Sequence, residues 1–410
     1  MRDPKYDILF EPVQIGPVQT RNRFYQVPHC SGMGYRYPNA EARMRGVKAQ
    51  GGWGVVSTQE TEIHPTSDLS PANEARLWDD SDIPNLKLMS DAVHAHDSLA
   101  AIQLVHGGIN APNRYSRLSP MSPSHAALSN NDPYQAREMD KADIKAFRGW
   151  HVDAAKRAKK AGFDIIYVYA AHGLSILNHF LSINTNKRSD QYGGTFSNRI
   201  RLLQEVLEDT LDTVNGKCAV ALRFGVAEPD KLNGLCHNGE GRDVVEALSE
   251  LPDLWDVNLS GWPKDSQSAR FTQEGYQQNY TSFVKSLTTK PVVGVGRFTS
   301  PDLMVSVIKK KQLELIEKKK SSQPSQIKTG GSTFKNSNDK KAWMLIKESG
   351  CDKLYIGDAK ISDKHCNFFV NDGKAKTADI EKLINKVKKE VQNKTGVDLE
   401  LEIKIIGDEK

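Results

Sequence analysis

The segment FDIIYVYA, residues 163–170, decides the fold of most of this chain. It is a continuous apolar run of β-forming residues, which is typical of a strand buried on both faces. Six further runs share this character: RNRFYQV (21–27), WGVVSTQ (53–59), LAAIQLVH (99–106), CAVALRFG (218–225), LWDVNLS (254–260) and PVVGVG (291–296). Because helical segments alternate with them, we predict an α/β fold, a parallel TIM-type (β/α) barrel that lacks its eighth unit.

The composition changes after residue 308. Residues 1–308 contain 19 arginines and 14 lysines, whereas residues 309–410 contain 23 lysines and no arginine. The formal charge is −2 before this point and +7 after it. This shift indicates two polypeptides of different origin. We predict a barrel domain (1–308), a polar Lys/Ser/Gly-rich junction (309–340) and a small α+β domain (341–410).

The α+β domain is predicted from four segments. AWMLIKES and TADIEKLINKVKKEVQNKTG have helical patterns, whereas DKLYIGDA (352–359) and LELEIKIIG (399–407) are strand-like. DKLYIGDA follows a helix and a glycine turn, so the alternative that it closes the barrel as an eighth strand stays open.

Bulk properties exclude several classes of protein. The N-terminus MRDPKYDILF has no apolar signal segment, and no run reaches the length of a membrane span, so we expect a cytoplasmic protein without membrane contact. Five cysteines without a CxxC pair predict no disulfide framework, no metal site and no iron–sulfur cluster. The lysines of 309–323 lack interleaved aromatic residues, which favours a solvated helix over a nucleic-acid site.

The mouth of a parallel barrel, where the strands end, carries its functional residues. Polar or reactive side chains follow or end six of the seven predicted strands. They are Pro28, His29, Cys30, Gln103, His106, Tyr169, His172, Arg223, Trp262, Asp265, Gly296 and Arg297. Their convergence on one mouth predicts a single functional site there.

The motifs RNRFYQVPHC, LAAIQLVHGG, NKRSDQYGGTFSNR and KPVVGVGRFTSPD carry a resemblance. They are similar to the Old Yellow Enzyme superfamily of FMN barrels, and specifically to its di- and trimethylamine dehydrogenase branch, over about residues 1–308. The resemblance implies FMN bound covalently as a 6-S-cysteinyl adduct through the thiolate of Cys30. It also implies a flavin site containing Pro28, His29, Gln103 and Arg223, with Gly296 and Arg297 forming half of the phosphate site.

The same resemblance implies a site for a small amine. Trp262 matches one wall of an aromatic bowl, and Tyr169, His172 and Asp265 match a hydrogen-bonded group that handles the substrate proton. Glu60 stands where the trimethylamine enzyme has a tyrosine, which favours dimethylamine, a substrate with N–H donors. The products would be a shorter amine and formaldehyde. In this family an electron-transfer flavoprotein accepts the electrons; a homodimer is left open.

The C-terminal motifs TGGSTFKN and KHCNFFVN resemble the C-terminal part of UDP-N-acetylenolpyruvoylglucosamine reductase, an FAD enzyme of peptidoglycan precursor synthesis. That resemblance implies Ser332 as the proton donor, Glu402 as its assistant and Asn336 as a substrate contact. Three hypotheses therefore remain: an FMN amine dehydrogenase, a fragment of a cell-wall precursor reductase, and a fusion whose parts catalyse nothing.

Overall fold

The computed structural model describes residues 2–69, 74–127, 135–227, 239–259, 271–309, 328–336 and 340–404. The chain divides into two compact units, Met1–Val307 and Ile308–Lys410. Most of the predicted junction, 310–327 and 337–339, lies outside the described residues.

The main sheet of the first unit has eight parallel strands: seven follow one another in a row, and the two-residue strand Ala75–Arg76 pairs with the second of them off this row. The seven are β1 (Tyr25–Gln26), β2 (Val55–Glu62), β3 (Leu99–Val105), β4 (Ile165–Ala170), β5 (Ala219–Ala227), β6 (Leu254–Leu259) and β7 (Val292–Val293). Each of the seven pairs with the next of them along the chain, as in a TIM barrel. Within the described parts of the chain, no strand joins β7 to β1. The prediction of a barrel without its eighth strand is therefore confirmed.

Helices follow the strands on the outside of this sheet. They are α1 (Pro38–Gln50), α2 (Ile83–His94), α3 (Lys141–Lys160), α4 (Ile176–Leu181), α5 (Phe196–Val214), α6 (Glu240–Leu248) and α7 (Gln278–Leu287), and residues 301–309 are also helical. Local sequence determines their ends. A reciprocal capping box between Asp140 and Asp143 begins α3, and Asn215, with a left-handed φ of 47°, ends α5.

The barrel has two apolar layers and one plugged end. Val168 and Leu222 belong to the layer between the strands and the helices. Val55, Tyr167 and Leu254 belong to an inner cluster, which includes Ile15 from the hairpin Val13–Ile15 and Val18–Thr20. Because β2 and β6 begin at Val55 and Leu254, this hairpin covers the N-terminal ends of the strands. The opposite end carries the polar residues considered below.

The second unit has an antiparallel sheet of four strands. They are β8 (Lys328–Ser332), β9 (Tyr355–Ile356), β10 (Ala359–Ser362) and β11 (His365–Asn371), in the spatial order β8-β11-β10-β9. Helices α8 (Ala342–Glu348) and α9 (Thr377–Thr395) share an apolar core with this sheet. A small sheet domain with two helices agrees with the α+β prediction.

Two predictions about this unit were settled by its strand pairing. DKLYIGDA is not an eighth barrel strand, because Tyr355–Ile356 pairs with Ala359–Ser362 inside the four-stranded sheet. The predicted final strand at 399–407 was wrong for residues 399–404: only Leu401 forms a bridge there, to Phe334. Residues 405–407 lie outside the described part of the chain.

Candidate active site

Arg223 is the centre of the polar cluster at the barrel mouth. It lies on β5 with 5% of its surface exposed. One of its terminal nitrogens, Nη1, donates to the carbonyl oxygen of Pro28 at 3.0 Å and to Oε1 of Gln103 at 2.9 Å. Its guanidinium carbon lies 6.0 Å from the centre of the Tyr169 ring. Four of the predicted site residues, which lie on or follow four different strands, are thus close together.

Gln103 is held by one end of its amide group only. The side chain is fully buried on β3, and its Oε1 accepts the bond from Arg223. Its Nε2 has no hydrogen-bond partner among the described residues. A buried donor without an acceptor costs free energy on the order of 1–3 kcal/mol. This donor, beside a guanidinium, fits a bound group with polar acceptors, such as the pyrimidine end of a flavin.

Tyr169 and His172 form a second group at the end of β4. The Tyr169 hydroxyl hydrogen-bonds with Nδ1 of His172, and both residues are buried. His172 has a left-handed φ of 60°, a conformation that costs a non-glycine residue free energy and therefore needs support from its surroundings. Trp262 and Asp265, which were predicted to complete the substrate site, lie outside the described residues.

Cys30 lies on the loop after β1, beside two carboxyl groups. Its Sγ is 3.6 Å from Oε1 of Glu74. Burial first, and then the charge of Glu74, raise the pKa of the Cys30 thiol to about 12. Burial and the nearby Glu60 and Glu62 raise the pKa of Glu74 to about 9. Glu60 is 6% exposed and lies within β2, opposite Gln103 in the sheet register. Its part in the substrate site stays a prediction.

The remaining predicted flavin residues are held by separate contacts. The His29 ring lies 3.0 Å from Nη1 of Arg45 and 3.0 Å from Nζ of Lys48, on the side of α1. Gly296 has a φ of 129°, which favours glycine, and its carbonyl oxygen accepts a bond from the Gly275 amide. Arg297 donates from Nη1 to the carbonyl oxygen of Thr272 at 2.5 Å.

Sequence reasoning missed Glu74, Asp256 and Asn258. Glu74 precedes the two-residue strand Ala75–Arg76, which pairs with β2, and no local pattern marks that pairing. Asp256 and Asn258 did carry a signal, because polar residues alternate within the apolar strand LWDVNLS. Period-two alternation places both side chains on one face of β6. Nε of Arg223 donates to Oδ1 of Asn258 at 2.7 Å and lies 3.4 Å from Oδ2 of Asp256.

The C-terminal candidates occupy one end of the small sheet. Ser332 ends β8, and the amide of Glu402 donates to the carbonyl oxygen of the next residue, Thr333, at 2.9 Å. The backbones of Ser332 and Glu402 are therefore close together in space. Asn336 has a structural role: its Oδ1 accepts a hydrogen bond of 3.0 Å from the backbone amide of Ala342, at the start of α8.

Residues 8–320 match the sequence model of the NADH:flavin oxidoreductase / NADH oxidase family. Residues 323–406 match that of the UDP-N-acetylenolpyruvoylglucosamine reductase C-terminal domain. Dimethylamine dehydrogenase from Hyphomicrobium sp. (strain x) is 38% identical over 324 residues, which are 77% of this chain and 44% of that protein.

Two solved structures are similar to the first unit. One is the 6-hydroxypseudooxynicotine amine oxidase from Pseudomonas geniculata N1, with 52% identity, a TM-score of 0.74, and coverage of 76% of this chain and 47% of that chain. The other is histamine dehydrogenase from Rhizobium sp. 4-9, with 51% identity, a TM-score of 0.72, and coverage of 75% and 45%. The chain spans less than half the length of each of these relatives.

Proposed function

Since the chain belongs to the NADH:flavin oxidoreductase / NADH oxidase family, we propose that its first unit binds FMN at the barrel mouth and oxidises an amine there. The observation that carries this proposal is the buried cluster of Arg223, Gln103 and Pro28 beside Tyr169 and His172. A guanidinium and an unpartnered amide donor together suit the polar edge of a flavin ring.

FMN, when bound, would supply a two-electron acceptor for the C–N bond of the substrate. Arg223 and Gln103 would hold the polar edge of its ring, and Gly296 and Arg297 would contribute to the phosphate site. The bonds from Arg223 to Pro28 and Gln103 orient the guanidinium before any ligand arrives, so little conformational freedom is lost on binding.

Cys30 is the proposed point of covalent attachment, as a 6-S-cysteinyl bond. It follows β1 and is half-buried at the mouth. Its raised pKa means that the thiol is protonated at neutral pH in the structure described here. Attachment therefore requires a base or a change of surroundings, because the thiolate is the nucleophile. It also requires a two-electron oxidant such as dioxygen, because the sulfur replaces the hydrogen on C6 of the flavin.

The proposed substrate is an amine with N–H donors. Glu60 brings a carboxyl group to the mouth near Cys30, and a carboxylate attracts an ammonium cation and accepts its hydrogen bonds. Glu74, whose pKa is raised to about 9, adds a second carboxyl group beside Cys30 that is protonated at neutral pH. The relatives of 38–52% identity are named for dimethylamine, histamine and a pseudooxynicotine amine. Dimethylamine was the substrate favoured by Glu60, and histamine is an equally specific candidate. With either one, the Tyr169–His172 pair would accept and pass on the substrate proton.

Several parts of this function stay predictions. Trp262 and Asp265 would complete the substrate site, and an electron-transfer flavoprotein would accept the electrons. The absence of an iron–sulfur cluster is also a prediction, although the described residues contain no group of three or more metal-ligating side chains. No described helix is long and apolar enough to cross a membrane. In the second unit, proton donation by Ser332 with help from Glu402, and a substrate contact by Asn336, stay predictions as well.

Anaerobic spectroscopy of the full chain tests the proposed function. The chain is expressed with added riboflavin, and its flavin spectrum is followed as dimethylamine or histamine is added. We expect bleaching of the oxidised flavin band by at least one of the two amines. A matched variant, Arg223→Gln, should bind FMN more weakly. Failure of the wild-type chain to bind FMN, or bound FMN that neither amine bleaches, would contradict the proposal.

A further inference from the structure

We propose that Asp256 is a positioning residue that holds Arg223 and offsets its positive charge toward the bound flavin. This inference rests on the proposed function, because it concerns the cofactor that Arg223 would contact. Asp256 itself lies opposite Arg223 on the neighbouring strand and need not touch the cofactor.

The placement of the two residues follows from the sheet register. Arg223 on β5 lies opposite Asp256 on β6, and Gly225 lies opposite Asn258 two residues further on. Residues in register on neighbouring strands place their side chains on the same face of the sheet. Nε of Arg223 lies 3.4 Å from Oδ2 of Asp256, and it donates to Oδ1 of Asn258 at 2.7 Å.

Burial makes the charge of Asp256 consequential. Asp256 is fully buried and Arg223 is 5% exposed, so water screens their interaction poorly. A buried carboxylate is stable only beside a compensating charge, and Arg223 lies within ion-pair distance. The hydroxyls of Tyr25 and Tyr167 are close to the pair, but burial raises their pKa values, so both are neutral. Arg223 and Asp256 are thus a nearly neutral pair.

Different nitrogens of the Arg223 guanidinium contact different neighbours. Nη1 of Arg223 is engaged by Pro28 and Gln103, whereas Nε is engaged by Asn258 and Asp256. A reduced flavin carries more negative charge than an oxidised one, so a bare arginine would favour the reduced form. The carboxylate of Asp256 weakens that preference because it offsets part of the positive charge.

The proposed role of Asp256 is tested by measuring how tightly the protein binds oxidised and reduced FMN. All variants carry Cys30→Ala, so that FMN exchanges freely, and dissociation constants are measured for oxidised FMN and, under nitrogen, for dithionite-reduced FMN. In Asp256→Asn the ratio of the two constants should shift at least tenfold in favour of reduced FMN. For a two-electron couple a tenfold shift is about 30 mV. The control is Asn258→Ser, which alters the neutral hydrogen-bond partner of the same Arg223 Nε without removing a charge. It should shift the ratio less than about threefold.

A second pair of variants covers the case in which Asp256→Asn fails to fold. Arg223→Gln alone leaves the carboxylate of Asp256 buried without its cation, and should shift the ratio at least tenfold toward oxidised FMN. Adding Asp256→Asn to it removes both charges and should return the ratio to within about threefold of the Cys30→Ala background. A purely structural role would move the melting temperature in these variants without moving the ratio.

The outcomes separate this inference from the proposed function. If the Cys30→Ala background does not bind FMN, the proposed function fails, and the inference fails with it. If FMN binds but Asp256→Asn shifts the ratio no more than Asn258→Ser does, the inference alone is overturned. In the second pair, equal ratios for Arg223→Gln and the double variant would overturn it as well.

Discussion

The thiol of Cys30 lies 3.6 Å from Oε1 of Glu74, within the hydrogen-bond range for sulfur. This contact changes the chemistry expected from the sequence alone. The VPHC motif predicted a reactive thiolate, whereas burial and the Glu74 carboxyl group raise the pKa of the thiol to about 12. A carboxylate beside a sulfur opposes a second negative charge there. Cys30 is therefore protonated at neutral pH unless its surroundings change.

Glu74→Gln should lower the pKa of Cys30 by about one unit, because it removes the nearest negative charge. The measurement is the pH dependence of iodoacetamide alkylation, followed at the Cys30 peptide by mass spectrometry. Glu246→Gln, an exposed partner of Arg242 on α6, serves as the control and should leave the profile unchanged. An unchanged or higher pKa in Glu74→Gln would show that burial alone suppresses the thiolate.

Cys30→Ala should abolish any covalent flavin adduct while the protein still binds FMN reversibly, since Arg223 and Gln103 remain in place. The measurement is intact mass after denaturation, with and without the substitution. Cys218→Ala is the matched control, because Cys218 is a buried cysteine at the opposite end of a barrel strand. An adduct that persists in Cys30→Ala would refute the assignment.

Tyr169→Phe should slow flavin reduction by amine about 100-fold, the lower end of the range for general acid–base catalysis. The substitution removes the hydroxyl that bonds to His172 but keeps the ring. Stopped-flow absorbance measures the rate across pH. Tyr192→Phe is the control, because its hydroxyl donates to Glu205 on α5. If the flavin is reduced by the amine at equal rates in both variants, the Tyr169 hydroxyl has no part in proton transfer.

Three buried histidines should make the first unit sensitive to acid. Burial lowers the pKa of His106 to about 3 and those of His151 and His179 to about 4, from 6.5 in the unfolded chain. The unfolded state binds more protons in the window between these values, so stability falls as pH drops below about 6.5.

Each such histidine should cost about 2 kcal/mol between pH 7 and pH 5. Urea unfolding at the two pH values measures the loss. His151→Gln should remove about 2 kcal/mol of it, because glutamine does not titrate. Burial also lowers the pKa of His29 to about 3 and that of His64 to about 4, so these two histidines add to the loss. The solvent-accessible residue His94 should contribute with the opposite sign. Its bond to Asp164 raises its pKa, so that its contribution is present at low pH and lost as pH rises. Equal loss in His151→Gln and wild type would contradict this account.

Phe334→Ala should destabilise the second unit by about 3–5 kcal/mol, because Phe334 is fully buried in its core. Calorimetry of the full chain should show the loss in one transition only, since Phe334 belongs to the core of one unit. Tyr355→Ala, at a residue that is 70% exposed, is the control and should change stability little. A loss spread over every transition would show that the units unfold together.

The barrel was predictable because its signal is local. β4 and β5 are buried along their whole length, and apart from Arg223 in β5 each is a continuous run of apolar residues. The C-terminal segment 399–404 was misread for the opposite reason. Its alternating pattern suits a strand, yet only Leu401 bridges to Phe334, and that choice depends on packing in the folded unit.

Site residues divided in the same way. Arg223, Gln103 and Tyr169 lie on predicted strands, so their place inside the barrel could be predicted from strand positions alone. Glu74 could not, because the pairing of Ala75–Arg76 with β2 brings it to Cys30 across 44 residues of sequence. Such a contact depends on the folded backbone, and no periodic pattern in the sequence predicts it.

The open sheet also sets an order for amide hydrogen exchange. β4 and β5 pair with neighbours on both sides, whereas β1 and β7, the last strands of the sheet, are two residues long. Backbone amides exchange where hydrogen bonds open, and strands with one neighbour open most easily. Protection should therefore decrease outward from Val168 and Leu222 toward Tyr25 and Val293. If a strand from another chain paired with β1 and β7, the amides of Tyr25 and Val293 would be the first to gain protection.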